Sequence, residues 1–130
     1  MKIVHISDTH GNHKQLTLPD GDVLIHSGDF SQYGINLETQ AFLDWFASQP
    51  HRHKILIGGN HDHYLFELLG QEHLEPALSE IHYLCDSQVE IDDVSFTDRL
   101  GRPQNLVDRF HIYPMTVICS GHKSQAISMC

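Results

Sequence analysis

Gly58-Gly59-Asn60-His61-Asp62 decides how this chain is read. It follows Lys54-Ile55-Leu56-Ile57, a short apolar run with the length and β-branched content of a buried strand. Two runs upstream end in a similar way. Lys2-Ile3-Val4-His5-Ile6-Ser7 leads into Asp8-Thr9-His10, and Asp22-Val23-Leu24-Ile25-His26-Ser27 leads into Gly28-Asp29. If the three strands are parallel neighbours, Asp8, His10, Asp29, Asn60 and His61 meet at one edge of one sheet. The crevice beyond the carboxyl ends of the strands is where open α/β sheets bind ligands.

The segments between these runs fit that layout. Residues 8–21 form a polar loop punctuated by Gly11, Asn12, Pro19 and Gly21. Asn36 is placed to cap a helix running through Leu37 to about Ser48, with Phe42, Trp45 and Phe46 on one face and Pro50 ending it. Residues 62–70 read as a second helix and 75–81 as a short third. Val89-Glu90-Ile91 and Val94-Ser95-Phe96 read as a hairpin turning at Asp92-Asp93. Strand and helix alternate over residues 1–70, which predicts an α/β domain with a parallel sheet and right-handed crossovers.

Composition narrows the function. At 130 residues and 40% hydrophobic, the chain suits one domain with a modest core. A formal charge of −9 argues against duplex nucleic acid as a partner. Twelve histidines favour a metal, with His51, His53, His73 and His82 expected at the surface. Cys85, Cys119 and Cys130 have no zinc-type spacing and suit a reduced compartment. With no basic-then-apolar leader and no run of membrane-spanning length, a soluble cytoplasmic protein is expected. The charge is uneven: residues 1–96 hold 4 basic and 15 acidic residues, and residues 97–130 hold 4 and 2.

Two divalent cations held close together need an anion between them to offset their repulsion. Asp29 is the natural bridge, Asp8 and His10 would hold one ion, and Asn60 offers an amide oxygen to the other. Nitrogen and oxygen donors without thiolate suit Mn, Fe, Zn or Mg. His61 is the candidate general acid for a leaving-group oxygen, because imidazole exchanges protons near neutrality. Asp62 either orients a histidine or caps the following helix. Taken singly, Asp-x-His is a loop, Gly-Asp a turn and Asn-His-Asp a helix cap; their order at three strand ends is what carries weight.

Asp8-Thr9-His10, Gly28-Asp29 and Gly59-Asn60-His61-Asp62 resemble the motifs of the calcineurin-like metallophosphoesterases. The longer runs Ile6 to His10, Pro19 to Phe30 and Ile57 to His61 resemble the small metallophosphoesterase-domain-containing subgroup. The resemblance covers about residues 1–96. It implies two mixed sheets packed together with helices outside, and a dinuclear metal centre hydrolysing phosphomonoesters or phosphodiesters. Its substrate would be a phosphorylated small molecule or a nucleotide. By resemblance, Asp8 and His10 bind the first metal, Asp29 bridges, Asn60 binds the second, and Asn60 and His61 contact the substrate, with His61 protonating the leaving group.

The family pattern continues with a strand ending in one histidine and another ending in Gly-His-x-His. Here Gly121-His122-Lys123-Ser124 has serine at the last position, and His111 lies in Phe110-His111-Ile112 without a small-residue turn after it. The subgroup also has Tyr-Gly-(Ser/Thr)-x-Trp-(Thr/Ser)-Pro after a strand like Val94-Ser95-Phe96. Phe96 to Pro103 can be coded TTT ACG GAT CGG CTT GGA CGC CCN, and one added T after the first codon yields Phe-Tyr-Gly-Ser-Ala-Trp-Thr-Pro. The expectation is that residues 97–130 are a divergent, frameshifted tail and that activity is weak or absent. The alternative is a non-catalytic metal-binding or scaffold module with the same fold. An HD-type phosphohydrolase, built around His61-Asp62, would instead be all-helical.

Overall fold

The computed structural model describes residues 1–68, 78–98 and 127–129. Its centre is a five-stranded sheet of β1 (Ile3–Ile6), β2 (Val23–His26), β3 (His53–Ile57), β4 (His82–Leu84) and β7 (Ile127–Met129), in the order β4-β3-β2-β1-β7. Every pair in it is parallel. Ile3 pairs with Val23 and Val23 with His53, so the three motif-bearing strands are adjacent and level. The parallel order expected from strand and helix alternation is therefore present, and the all-helical alternative is excluded. An antiparallel hairpin, β5 (Gln88–Ile91) and β6 (Val94–Thr97), forms the second sheet. Its turn is Asp92-Asp93, with φ of 49° and 64°. That is the left-handed pair a two-residue hairpin requires, and aspartate tolerates it better than most residues.

Alternation along the strands sorts side chains to two faces. Val4, Ile6, Leu24 and Leu56 pack under Phe42, Leu43 and Phe46 of α1 (Asn36–Ala47) and Leu65 of α2 (His63–Leu68). Val23, Ile25, Ile55, Ile57 and Leu84 pack against Ile91 and Phe96 of the hairpin. The layers are thus helices, parallel sheet and hairpin, as the resemblance implies. Phe42 anchors the helical side: its ring stacks on Phe30 at 4.1 Å and on Phe46 at 5.4 Å, and Trp45 tilts against it at 5.9 Å. Fully burying such a ring contributes roughly 1.5–3 kcal/mol.

Some local expectations need correction. Asn36 does not cap α1; it is the first helical residue, and Ile35 at the cap position makes no side-chain bond. Glu38 in the first turn ties down the incoming loop instead, its Oε2 accepting from the Tyr33 amide at 2.9 Å. His51 is buried rather than at the surface, with Nε2 against the Pro19 carbonyl at 3.1 Å. Of the helix expected over 75–81, Leu78 is helical and the chain turns at once into Ile81 and β4; residues 75–77 lie outside the described part, as do 69 and 70 of the second helix. His73, His111, His122, Cys119, Cys130 and the apolar run 115–119 also lie outside it. Cys85 is a free, exposed thiol. Among the described residues no helix is long and apolar enough to cross a membrane.

Candidate metal centre

The loops after β1, β2 and β3 are laced together by backbone. Beyond the strand ends the β1–β2 ladder continues: Asp8 N–H donates to the Gly28 carbonyl (3.0 Å), His10 N–H to Asp29 (3.1 Å) and Gly11 N–H to Phe30 (2.8 Å). The β2 and β3 loops touch main chain to main chain. Gly28 has φ of 109°, and a Cβ there would lie 2.9 Å from the backbone of Gly59. A Cβ on Gly59 would in turn overlap the Asp29 carboxylate. Only glycine allows this approach.

The lacing brings together residues far apart in sequence. Asp8, His10 and Asp29 each offer a ligand atom, and these atoms all lie within 4.8 Å of one another. All three residues have left-handed backbone, with φ of 54°, 41° and 57°. Holding non-glycine residues there costs on the order of 1–3 kcal/mol each, and such strain gathers at functional sites. Asp8 is exposed and the other two are half-buried, so the cluster opens to solvent.

The imidazoles are oriented by carbonyls. His10 Nδ1 lies 3.2 Å from the Ser31 carbonyl, and His61 Nδ1 lies 3.2 Å from that of Gln32. A carbonyl only accepts, so Nδ1 carries the proton in both rings and Nε2 is left for a ligand. The two rings meet edge to face with centroids 4.8 Å apart. The Asp29 carboxylate accepts the His61 amide through Oδ1 at 2.9 Å. Asn60 is half-buried in the turn between Gly59 and His61. Two carboxylates and an oriented imidazole, open on one side, suit a hard or borderline divalent cation.

Asp62 does neither of the things expected of it. Its fully buried carboxylate accepts four hydrogen bonds: from the amides of Asp29 (2.8 Å), Gly59 (2.8 Å) and Ser31 (3.0 Å), and from the Ser31 hydroxyl (2.8 Å). Burial pushes its pKa up and the Asp29 charge adds to this, opposed by the Gly59 and Ser31 donors. Asp62 is therefore the clasp between the second and third loops, and Ser31 is its partner. Sequence reasoning missed Ser31 altogether; its place two residues after Asp29 was the available signal. It also missed the buried pair Thr9 and His26, whose signal was a lone histidine in an otherwise apolar strand.

Comparison with known proteins agrees with the geometry. Over 108 residues the chain is 39% identical to a UPF0046 protein of Caenorhabditis elegans, covering 74% of this chain and 37% of that one. Over 111 residues it is 33% identical to human Metallophosphoesterase domain-containing protein 1, covering 69% and 34%. A shorter match, 46% over 65 residues, falls on 6% of a protein of Emericella nidulans named probable rhamnogalacturonate lyase C. The chain spans about a third of the length of the first and second of these relatives. The family profile for calcineurin-like phosphoesterases matches residues 1–123. Strand order, clustered donors and this match agree: the chain belongs to the calcineurin-like phosphoesterase family.

Proposed function

We propose that this chain is a metal-dependent phosphoesterase domain acting on a phosphorylated small molecule or nucleotide, with activity weakened by the departure of residues 97–130 from the family's histidine pattern. The observation that carries the reading is the Asp8, His10 and Asp29 cluster with the His61 ring beside it. Asp8 and His10 would hold one divalent cation, Asp29 would be shared between two, and Asn60 would serve the second. When bound, the cations supply Lewis-acid stabilisation of a phosphoryl group and a water made nucleophilic at neutral pH. The chain's own residues do the rest. The Gln32 carbonyl holds His61 Nδ1–H, which orients the ring and leaves Nε2 as the atom through which a proton would pass to a leaving-group oxygen. Asp62 keeps Asp29 and the Gly59 turn in register while substrate enters from the open side.

The weakened activity follows from ligand count. The remaining histidines of the family pattern have no full counterpart in residues 97–130, and a partial shell leaves coordination to water. We attribute that divergence to a one-base frameshift near codon 97. The gene sequence tests it: restoring Tyr-Gly-x-x-Trp by a single-base change supports the attribution, and no such change removes it. Function is tested by metal content and by hydrolysis of bis(p-nitrophenyl) phosphate with Mn2+ on the purified chain. Bound metal with slow turnover is the expected result. Bound metal with no turnover favours the scaffold reading, ordinary turnover removes the idea of impairment, and no metal uptake ends the proposal.

A further inference from the structure

His26 is fully buried near the end of β2, on the face covered by α1. Phe42 lies 4.9 Å from its ring, Phe30 6.1 Å and Phe46 6.4 Å, so three aromatic edges fix its orientation. Its two nitrogens reach two different loops. Nδ1 accepts the Gly28 amide at 3.2 Å, which puts the ring proton on Nε2. Nε2–H then donates to the Thr9 hydroxyl at 3.0 Å. Thr9 stands between Asp8 and His10, and Gly28 stands directly before Asp29. One rigid ring therefore spans the two loops that carry the clustered donors, from beneath, inside the core. An apolar residue would fill the space but would strand the Gly28 amide away from water. A buried donor without a partner is unfavourable enough to move the loop that carries it.

We propose that His26 is a positioning residue for the metal centre, holding the Asp8–His10 loop and Asp29 at the separation that a divalent cation needs. The inference rests on the metal-centre reading above. Groups of this kind, one step behind the ligands, change metal affinity by about ten- to a hundredfold when removed.

The test is Mn2+ titration of the 130-residue chain, following free Mn2+ by electron paramagnetic resonance. The parent is compared with Thr9→Val, His26→Asn and His26→Leu, each checked for a cooperative thermal transition. Thr9→Val keeps the shape of the core and removes only the acceptor. His26→Asn retains an acceptor for Gly28 and loses the reach to Thr9. About tenfold weaker binding in Thr9→Val, an intermediate loss in His26→Asn and the largest in His26→Leu is the expected order. A lowered melting temperature with Mn2+ affinity within twofold of the parent assigns His26 to stability alone and overturns the inference. A parent that binds no Mn2+ removes the metal-centre reading itself. Should His26→Leu fail to fold, Thr9→Val and the parent's imidazole 15N correlation spectrum still decide: a neutral Nε2–H tautomer from pH 5 to 8 agrees, and an Nδ1–H or charged ring refutes.

Discussion

Replacing Asp62 by alanine is expected to cost more than any loop substitution ordinarily does. The carboxylate is fully buried and takes the amides of Asp29, Gly59 and Ser31 together with the Ser31 hydroxyl. The hydroxyl keeps a second partner, the His61 carbonyl at 2.8 Å, so it is not orphaned. Three backbone donors are. Each stranded donor costs about 1–3 kcal/mol, reduced where water enters the gap. A net loss of roughly 3–5 kcal/mol follows, the range seen when a buried charged network is broken. Set against a total stability of about 5–15 kcal/mol, that is a large share, and at the low end of the range it leaves the folded state barely favoured. Asp62→Asn keeps one acceptor oxygen but turns an amino group toward two donors, so its loss is smaller, about 2–3 kcal/mol. Urea denaturation in metal-free buffer measures both. A loss below about 1 kcal/mol in Asp62→Ala, with unchanged slope, would mean that the three amides find other partners and that the clasp is not structural.

Three further perturbations separate core, brace and chemistry. Burial pushes the His26 pKa down to about 3 from 6.5. The unfolded chain therefore takes up this proton first, and the stability is full above pH 6.5 and is lost as pH falls toward 3. At pH 5, 1.5 units below 6.5, the loss is about 2 kcal/mol at 1.36 kcal/mol per unit, and the stability difference from His26→Asn should shrink by that amount between pH 7.5 and 5. Phe96→Ala should destabilise by about 3–5 kcal/mol yet leave the Mn2+ affinity of the folded fraction unchanged, since its ring is buried on the hairpin side of the sheet, away from His26 and the donors. His61→Ala should lower turnover of a diester with a poor leaving group by about 10²–10⁴-fold while sparing one with p-nitrophenolate, because only the poor leaving group needs the proton. Equal losses on both substrates would remove the general-acid role.

The parts of the fold that were legible in the sequence are those set by local pattern. Lys2 to Ser7, Asp22 to Ser27 and Lys54 to Ile57 are apolar runs closed by glycine or aspartate, and β1, β2 and β3 lie within or beside them. Asp92-Asp93 signalled the hairpin because few other residues accept its backbone. The convergence of Asp8, His10, Asp29 and His61 followed from parallel order alone. What stayed hidden was set by distant partners. His82-Tyr83-Leu84 has no period of its own and is a strand because it pairs with β3. Ile127–Met129 is likewise a strand by pairing with β1. Asp62 looked like a helix cap because its partners Asp29 and Ser31 lie 33 and 31 positions upstream. His51 looked like surface until the Pro19 carbonyl was brought against it.

Metal uptake by the parent chain and by Asp29→Ala, measured side by side by elemental analysis after dialysis against Mn2+ and then metal-free buffer, addresses the account most directly. The parent should retain Mn2+ and Asp29→Ala should lose it while still unfolding cooperatively. Equal retention by the two proteins, or none by either, would contradict the convergence of Asp8, His10 and Asp29 on a cation.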